Sequence, residues 1–311
     1  MKILVTGGCG FIGSAFMKVM LDNPKIKIIN IDKISYCANK NVCEQYKERY
    51  ELIEGDINNV FELLKNRENE IDYIYHFAAE SHVDNSISGP YPFIHSNITG
   101  TFNMLEYAKK YDKPILIVST DEVYGSLSTY SPPSTEEDLL KPSSVYSSSK
   151  ASADLLALSY FRTFGTKTMI TRCCNNYGAN QYKEKFIPTI LNSLKNNKKI
   201  PVYGDGKNTR EWINVLDHCE AVWEVSQKGH FGEIYNIGSG YERSNIDLVR
   251  KVVNLWGADD SSINFVEDRK GHDIRYRIDS SKIQSKIGWK PKHTNMDEFL
   301  KLMVDDYKKS N

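Results

Sequence analysis

The sequence predicts an α/β fold in which helices cover both faces of a doubly wound parallel sheet, with a smaller carboxyl-terminal substrate-binding lobe. Through the first half, apolar runs of four to six residues alternate with segments of helical periodicity. This is the pattern of a parallel sheet buried on both faces. A glycine-rich turn follows the first run, and beyond about residue 175 the elements become shorter and less regular. Together these observations indicate a Rossmann-type fold, which binds ligands at the carboxyl ends of its strands.

The individual elements follow from hydrophobic periodicity. The runs that predict buried strands are Lys2–Val5, Lys27–Ile31, Tyr73–Phe77, Ile115–Val118 and Thr168–Thr171. An apolar stripe predicts the first helix, with one face formed by Phe11, Ile12, Ala15, Phe16, Val19 and Met20. A second stripe predicts a closing amphipathic helix through Met296, Phe299, Leu300, Met303, Val304 and Tyr307. Residues 126–149 are rich in serine and proline, which predicts a long loop.

Length and charge narrow the class of protein. The chain has 311 residues, and its 40 basic and 40 acidic side chains give a formal net charge of zero. We expect a main domain over residues 1–175 and a lobe over residues 176–311, with some interleaving. Scattered, balanced charge argues against a nucleic-acid binder. No apolar run approaches the ~18 residues of a membrane span, so we expect a cytoplasmic protein without a signal peptide.

Metal binding is not expected. The six cysteines and seven histidines form no CxxC, HExxH or similar ligand spacing. The adjacent Cys173 and Cys174 are expected to be reduced residues near a strand end.

The glycine-rich turn predicts a dinucleotide site. Residues 7–13 match GxxGxxG directly after a strand and before a helix, the context that this motif requires. Asp32, 19 residues after Gly13, would hold the ribose hydroxyls and repel a 2′-phosphate, which favours NAD although Lys33 lies beside it. Asp56 could reach the adenine or could cap the next helix. The expected cofactor residues are Gly7, Gly10, Phe11, Ile12, Gly13, Asp32, Lys33, Asp56, Ile57, Ala78, Ala79, Tyr146 and Lys150.

Tyr146 and Lys150 predict hydride-transfer chemistry. They stand four residues apart at the start of a predicted helix, so they share a face, and Thr120 ends a central strand. Lowering a tyrosine pKa from about 10 toward 7 takes roughly 4 kcal/mol. One ammonium at ~4 Å, at an effective dielectric of ~20, supplies about that much. We therefore expect Lys150, helped by an oxidised nicotinamide, to lower the pKa of Tyr146.

Asp121 and Glu122 extend that chemistry. They directly follow Thr120 at the end of a buried strand. Two carboxylates crowded near a cofactor should have pKa values that are pushed apart, which gives one acid and one base. Simple alcohol oxidation has no use for such a pair, whereas elimination of water beside a ketone needs both. The pair therefore favours dehydration.

The chain resembles the nucleotide-sugar 4,6-dehydratases of the extended short-chain dehydrogenase/reductases, above all those acting on dTDP-glucose, nearly from end to end. The first half carries TGGCGFIGS (6–14), NIDKISY (30–36), HFAAESHVDNSI (76–87), STDEVYG (119–125) and YSSSK (146–150). The second half carries RCCNNYGANQYKEKFIP (172–188), PVYGDGKNTREW (201–212), NIGSGYERSNIDLV (236–249) and DRKGHDIRYRID (268–279). STDEVYG is the most specific of these, because related epimerases carry a different pair after the hydroxyl residue.

The resemblance implies a mechanism. Tyr146, helped by Lys150 and Thr120, would remove the proton of the glucose 4-hydroxyl while C4 gives hydride to NAD. Glu122 would then take the C5 proton and Asp121 would protonate the departing C6 hydroxyl. Hydride returns to C6, which yields a 4-keto-6-deoxyglucose nucleotide and regenerates a tightly bound NAD.

The resemblance also implies partners. It suggests a homodimer built on helices near residues 93–111 and 146–164, and a nucleotide-sugar substrate, dTDP-glucose or UDP-glucose. It assigns substrate contacts to His82, Asn175, Asn176, Glu184, Lys185, Tyr203, Arg210, Asn245 and Arg269. Apart from the resemblance, the charge and geometry of arginine also suit Arg210 and Arg269 to binding a diphosphate.

Two positions depart from the family pattern. Val145 stands where the family usually has proline before the catalytic tyrosine, and losing proline frees the backbone. We hypothesise that the segment leading into Tyr146 is mobile without substrate. Ala179 replaces a typical proline after NNYG, and we have no functional account of it.

Two alternative functions stay open. A nucleotide-sugar 4-epimerase shares the glycine motif, Thr120, Tyr146 and Lys150, but does not need the acidic pair. A non-catalytic NAD-binding scaffold is the second alternative, against which the complete set of catalytic side chains argues.

Overall fold

The computed structural model describes residues 1–309. These residues form twelve strands: β1 (Lys2–Thr6), β2 (Lys27–Asp32), β3 (Tyr50–Glu54), β4 (Tyr73–His76), β5 (Ile115–Thr120), β6 (Thr168–Cys173), β7 (Asn175–Tyr177), β8 (Ile200–Tyr203), β9 (Thr209–Asn214), β10 (Ile234–Ile237), β11 (Glu242–Ser244) and β12 (Ile263–Val266). They also form eleven α-helices: α1 (Phe11–Leu21), α2 (Val60–Leu63), α3 (Val83–Ser88), α4 (Tyr91–Phe93), α5 (Gly100–Lys110), α6 (Val145–Phe164), α7 (Phe186–Lys195), α8 (Val215–Lys228), α9 (Asn245–Trp256), α10 (Ser281–Ile287) and α11 (Met296–Lys309).

Seven strands form a parallel central sheet in the order β10-β6-β5-β4-β1-β2-β3. The predicted doubly wound sheet is confirmed, and each of the five predicted strands is present within two residues of its expected end. The chain runs outward from β1 through β2 to β3, then crosses back to β4 on the other side of β1 and continues outward to β5 and β6. In open α/β sheets such a reversal leaves a crevice at the carboxyl ends of the strands, where ligands bind.

The sheet is covered on both faces by apolar side chains. On one face, Phe16 and Met17 of α1 pack with Tyr75 of β4. On the other, Met104 of α5 and Ala157 of α6 belong to the second core. The predicted stripe of α1 faces this core, since Phe16 and Met20 are buried in it and the other four predicted residues pack against it. Met17 and Leu21 widen the buried face.

The second lobe contains two small sheets and a core of its own. The sheets have the orders β11-β9-β7 and β12-β8. The closing helix α11 buries Met296, Leu300, Met303 and Val304, on the face that the sequence predicts. The chain also returns to the main domain, because β10 pairs with β6. The assignment of residues 1–175 to the cofactor and catalysis, and of residues 176–311 to the nucleotide sugar, stays a prediction.

The long loop is shorter than predicted, because α6 already begins at Val145. Ser144 caps this helix: the backbone N–H of Ser147 donates to Ser144 Oγ at 3.0 Å, and the Ser144 N–H donates to Ser147 Oγ at 3.0 Å. Such a capping box satisfies two backbone donors that an uncapped helix leaves unpaired. Tyr146 therefore lies in a capped first turn, and mobility of the preceding segment stays a hypothesis.

Within residues 1–309, no helix combines the length and the apolar character needed to cross a membrane.

Candidate active site

The turn between β1 and α1 forms the floor of a cleft at the carboxyl end of the sheet. Gly7 has a φ of +71°, and a Cβ there would come within 2.6 Å of the Ala78 backbone. A Cβ on Gly13 would lie 2.4 Å from the carbonyl oxygen of Gly7. Real Cβ atoms do not approach backbone so closely, so the turn, the start of α1 and the end of β4 can meet only because these residues are glycine.

Asp32 ends β2 at the side of this floor. Its carboxylate accepts the backbone N–H groups of Cys9 at 2.9 Å and Ile34 at 2.8 Å, which fixes its orientation. Burial raises the pKa of Asp32. The neighbouring Lys33 donates to Glu80 at 2.5 Å and to Ser96 at 2.9 Å. Its ammonium is thus already balanced by a carboxylate.

Asp56 and Ile57 lie on the same cleft. The Asp56 carboxylate accepts the Asn58 N–H at 2.9 Å and caps the short helical turn Ile57–Asn59. The capping alternative for Asp56 is therefore observed, and its position in the cleft wall is compatible with an adenine contact as well.

One cleft collects most of the predicted site. The predicted residues that line it are Gly7, Gly10, Phe11, Ile12, Gly13, Asp32, Lys33, Asp56, Ile57, Ala78, Ala79, His82, Thr120, Asp121, Glu122, Tyr146, Lys150, Asn175, Asn176, Glu184 and Lys185. The floor is a tight glycine turn, because a Cβ on Gly7 or Gly13 would clash with the backbone of Ala78 or of Gly7 itself. The wall offers an oriented carboxylate for ribose hydroxyls. These residues fit a dinucleotide with an unphosphorylated ribose.

The acidic pair follows β5 directly and turns into the cleft. Residues Asp121–Tyr124 form a 3-10 turn whose cap is Thr120, which accepts the Glu122 N–H at 3.3 Å. Thr120 Oγ1 also donates to Asp121 Oδ1 at 3.2 Å. The other oxygen of this buried carboxylate has no hydrogen-bond partner among the described residues.

Helix α6 supplies the tyrosine and the lysine. The Lys150 ammonium donates to the Val118 carbonyl of β5 at 2.8 Å, which ties the helix to the central sheet. Tyr146 lies one helical turn earlier, and the Thr120 side chain acts to lower the pKa of its hydroxyl. The structure thus brings together the predicted Thr120, Tyr146 and Lys150.

The two carboxylates differ in their surroundings. Burial, with the neighbouring Glu122 and Glu211, raises the pKa of Asp121 well above its ordinary value. Burial also raises the pKa of Glu122, but Arg210, Arg269 and Lys185 oppose that increase. Anionic neighbours favour a protonated Asp121, whereas cationic neighbours favour an ionised Glu122.

The expected lowering of the Tyr146 pKa was wrong for the protein by itself. Burial raises the pKa of Tyr146 well above its ordinary value, and Glu122 adds to the increase. Lys150 is itself buried, which lowers the pKa of its ammonium. Desolvation of both groups therefore dominates in the protein without a bound cofactor. A bound pyridinium cation would act in the lowering direction.

Four predicted substrate residues, Tyr203, Arg210, Asn245 and Arg269, lie outside the lining of this cleft. Arg210 is buried, with its guanidinium 4.3 Å from the ring centre of Tyr276, and donates to the Asp273 carbonyl at 3.0 Å. Arg269 lies 3.6 Å from the carboxylate of Asp84.

Tyr203 also reaches Asp84, donating its hydroxyl to the carboxylate at 3.3 Å. Asn245 begins α9, and its N–H donates to the Asn208 carbonyl at 2.9 Å. Because the charges of Arg210 and Arg269 act on Glu122, these two residues border the reacting end of the cleft, and no such link is seen for Asn245.

Three of the remaining predicted substrate residues, Lys185, His82 and Asn176, already have protein partners. Lys185 donates to the Ser81 carbonyl at 2.7 Å, and burial lowers its pKa. His82 lies 3.4 Å from the Glu184 carbonyl oxygen. The amide of Asn176 is paired with the His218 ring at 2.9 Å. Of these side chains, Lys185 is the one whose charge is directed toward Glu122.

Sequence reasoning missed two aromatic residues of the cleft wall. Tyr36, in the loop after β2, meets Tyr182 edge-to-face with ring centres 5.5 Å apart. Asn85 Nδ2 donates to the Tyr36 hydroxyl at 3.0 Å. Both tyrosines lie in quoted family motifs, which is the only signal in the sequence, since loops carry no hydrophobic periodicity.

The parallel sheet, its glycine turn and the Thr120, Tyr146 and Lys150 set define a Rossmann-type, dinucleotide-dependent class of enzyme. Within that class, residues 4–303 match the sequence profile of the family described as GDP-mannose 4,6 dehydratase. The chain belongs to this family.

Named relatives and solved structures agree. The chain is 43% identical to the low-salt glycan biosynthesis protein Agl12 of Haloferax volcanii, over 99% of this chain and 98% of that protein. It is 40% identical to the dTDP-glucose 4,6-dehydratase of Mycolicibacterium smegmatis, over 99% of this chain and 93% of that protein. The structure of DesIV, a dTDP-glucose 4,6-dehydratase of Streptomyces venezuelae with NAD bound, has a TM-score of 0.94 at 41% identity and covers 100% of this chain and 98% of that chain.

An epimerase shares the fold at greater sequence distance. The UDP-glucose 4-epimerase of Thermotoga maritima has a TM-score of 0.91 at 27% identity, over 100% of this chain and 99% of that chain. The backbone fold therefore does not distinguish a dehydratase from an epimerase. The distinction must come from the side chains of the site.

Proposed function

We propose that this chain is an NAD-dependent nucleotide-sugar 4,6-dehydratase, a hydro-lyase that converts dTDP-glucose to dTDP-4-keto-6-deoxyglucose and water. The observation that carries the proposal is the Asp121–Glu122 pair, which lies in the same cleft as Tyr146 and Lys150. Identity of about 40% to named dTDP-glucose 4,6-dehydratases supports it.

NAD is the cofactor that the cleft suits. Asp32 presents an oriented carboxylate where a ribose hydroxyl would bind, and Glu80 balances the Lys33 charge that could otherwise attract a 2′-phosphate. When bound, NAD takes a hydride from C4 of the sugar and returns it to C6, so the cofactor is not consumed.

The side chains of the cleft move the protons. Tyr146 Oη takes the proton of the sugar 4-hydroxyl, with Thr120 and Lys150 orienting it, and the C4–O bond becomes a ketone. This ketone acidifies the C5 hydrogen, whose proton passes to the Glu122 carboxylate. Asp121 gives its proton to the C6 oxygen, the C5 electron pair forms the C5–C6 double bond, and water leaves. After hydride reaches C6, Glu122 returns a proton to C5.

Arg210, Arg269 and Lys185 surround the acidic side of the cleft. Guanidinium groups bind diphosphate oxygens with two parallel hydrogen bonds, which suits the two arginines to the nucleotide diphosphate. Arg269 would exchange its distant Asp84 partner for the substrate.

The experiment that separates a dehydratase from an epimerase removes both carboxylates without changing their size. Asp121→Asn with Glu122→Gln should abolish water loss, a drop of more than about 100-fold for lost acid and base catalysis. Oxidation at C4 should persist and appear as near-ultraviolet absorbance of reduced nicotinamide. The exposed Glu137→Gln is the control, expected to retain full activity. Full turnover by the double variant would contradict the assignment, and formation of a galactose nucleotide by the native enzyme would establish the epimerase instead.

The nucleotide is a finer proposal. Thymidine and uridine nucleotides differ by one methyl and one hydroxyl, and a methyl contact is worth only about 1–3 kcal/mol. We propose dTDP-glucose as the preferred substrate, with UDP-glucose tolerated. Rates measured with both at equal concentration test this, and faster turnover of UDP-glucose would overturn the preference.

We also propose a homodimer formed through α6 and the α4–α5 region. Large apolar side chains are exposed there: Tyr91, Ile94, Phe102, Leu155 and Phe164. An apolar patch of this kind on neighbouring helices is typical of an interface between subunits. Leu155→Glu should convert a dimeric mass in light scattering to a monomeric one, and a monomeric native protein would refute the proposal.

A cytoplasmic location is proposed on the cysteines. All six are unpaired thiols within the described residues, and disulfides form and persist in oxidising compartments. Residues 1–175 are proposed to serve mainly the cofactor and chemistry, and residues 176–311 mainly the nucleotide sugar.

A further inference from the structure

Behind the catalytic residues lies a buried ion pair that the chemistry above does not use. Arg172 on β6 and Asp154 on α6 are 1% and 0% exposed. Arg172 Nε donates to Asp154 Oδ2 at 2.9 Å. Among the described residues, neither belongs to the lining of the cleft. Burying two charges costs about as much as their attraction returns, so such a pair is weak evidence for stability and its retention suggests another role.

The pair is connected to the helix that carries the tyrosine and lysine. Asp154 lies one helical turn beyond Lys150 on α6, so the two side chains share a face. The Asp154 carboxylate favours the charged form of Lys150 and opposes the effect of burial on its pKa. One end of the ion pair is therefore fixed to the part of the site that oxidises C4.

The other end is connected to the turn that carries the acid and base. Arg172 Nη1 donates to the hydroxyl of Tyr124 at 2.9 Å, and the guanidinium lies 4.8 Å from the centre of that ring. Tyr124 ends the turn that begins at Asp121. Its hydroxyl donates in turn to Asn236 Oδ1 of β10 at 2.8 Å. The turn is thus held from both sides by buried hydrogen bonds.

We propose that Arg172 is a positioning residue that couples the two stages of the reaction. Through Tyr124 it holds the turn bearing Asp121 and Glu122 at a fixed place relative to α6. The inference rests on the proposed function, because an enzyme without an elimination step has no need of such a link.

Removing the Tyr124 hydroxyl, which breaks its hydrogen bond to Arg172, should slow water elimination more than oxidation at C4. Tyr124→Phe removes one hydroxyl and keeps the ring beside the guanidinium. The Arg172–Asp154 pair stays intact, so Tyr146 and Lys150 keep their positions. The turn loses its two hydrogen bonds, so the acid and base lose their alignment with C5 and C6.

The test is a single-turnover measurement with dTDP-glucose on the complete enzyme. Tyr124→Phe should form reduced nicotinamide within about twofold of the native rate, whereas product formation should slow about tenfold, the loss expected for a hydrogen bond to a charged group. Near-ultraviolet absorbance of the reduced cofactor should therefore persist. A purely structural role would slow both stages equally and leave no persistent absorbance.

Tyr75→Phe is the matched control. Tyr75 is fully buried in the neighbouring strand β4, and its hydroxyl bonds to Ser226 Oγ at 2.6 Å, away from the cleft. The same atom is removed there, and neither stage should change. Asn236→Leu removes the acceptor on the other side of Tyr124 and should give the same uneven pattern if Tyr124→Phe does not fold.

The outcomes separate the two proposals. A native enzyme that forms no 4-keto-6-deoxy product refutes the proposed function. A native enzyme that forms it, with both variants slowing the two stages equally or not at all, refutes the coupling role of Arg172 alone.

Discussion

Two parts of the cleft are held in place by different forces: its floor at the glycine turn, and its acidic wall, by which we mean Asp121 and Glu122. The floor, at the turn between β1 and α1, is set by steric exclusion, since a Cβ at Gly13 would meet backbone at 2.4 Å. The wall at Asp121 and Glu122 is set by a balance of buried charges. One added methyl group at Gly13 should therefore disrupt the turn, whereas the acidic pair should respond to a change of charge at constant side-chain volume.

Gly13→Ala should have the largest effect. Its Cβ would meet the Gly7 carbonyl, so the turn must move and both folding stability and cofactor binding should be lost. Gly10→Ala is the matched variant, because its Cβ would lie 3.4 Å from the nearest backbone atom. That protein should keep its melting temperature while its content of co-purifying NAD falls. Equal thermal stability of the two variants would show that steric exclusion does not set the floor.

Removing one cation near Glu122 should shift the pH dependence of the activity. In the proposed mechanism Glu122 acts as a base only when ionised, so activity should fall as the pH drops through its pKa. Burial raises that pKa and Lys185 lowers it. Lys185→Met should therefore raise it further and shift the acid limb of the kcat profile to higher pH, by up to about one unit. The exposed neighbour Lys183→Met should leave the limb in place, and a shift toward lower pH would contradict the charge balance.

The smallest effect concerns α6, which carries Tyr146 and Lys150 and packs against the turn of the acidic pair. Ser144→Ala should lower the free energy of unfolding by about 1 kcal/mol, because the cap of α6 is lost. Val145→Pro should raise it by about 0.4–1 kcal/mol, since proline suits the first position of a helix and Ser144 is extended. Chemical denaturation measures both. A destabilising Val145→Pro would show that the valine backbone is not proline-compatible.

The floor could be predicted from sequence because its constraints are local. One β–α–β unit contains the glycine turn and Asp32, and one helix contains both Tyr146 and Lys150. The sequence pattern alone therefore locates them. The acidic pair was predicted for the same reason, since it directly follows a strand.

What escaped prediction depends on contacts between distant segments. The Tyr146 pKa is set by burial, which no local pattern reveals. The Tyr36–Tyr182 contact joins two loops, and the link from Arg172 to Tyr124 joins β6 to the turn after β5. The extent of the loop before Tyr146 was overestimated because serine is a turn former and a helix cap alike.

In the proposed reaction, hydride leaves C4 and returns to C6 of the same sugar while Asp121 and Glu122 remove water. The most direct measurement follows dTDP-glucose carrying deuterium at C4. We expect a 4-keto-6-deoxy product with the deuterium in its C6 methyl group. A galactose nucleotide with deuterium still at C4 would contradict it.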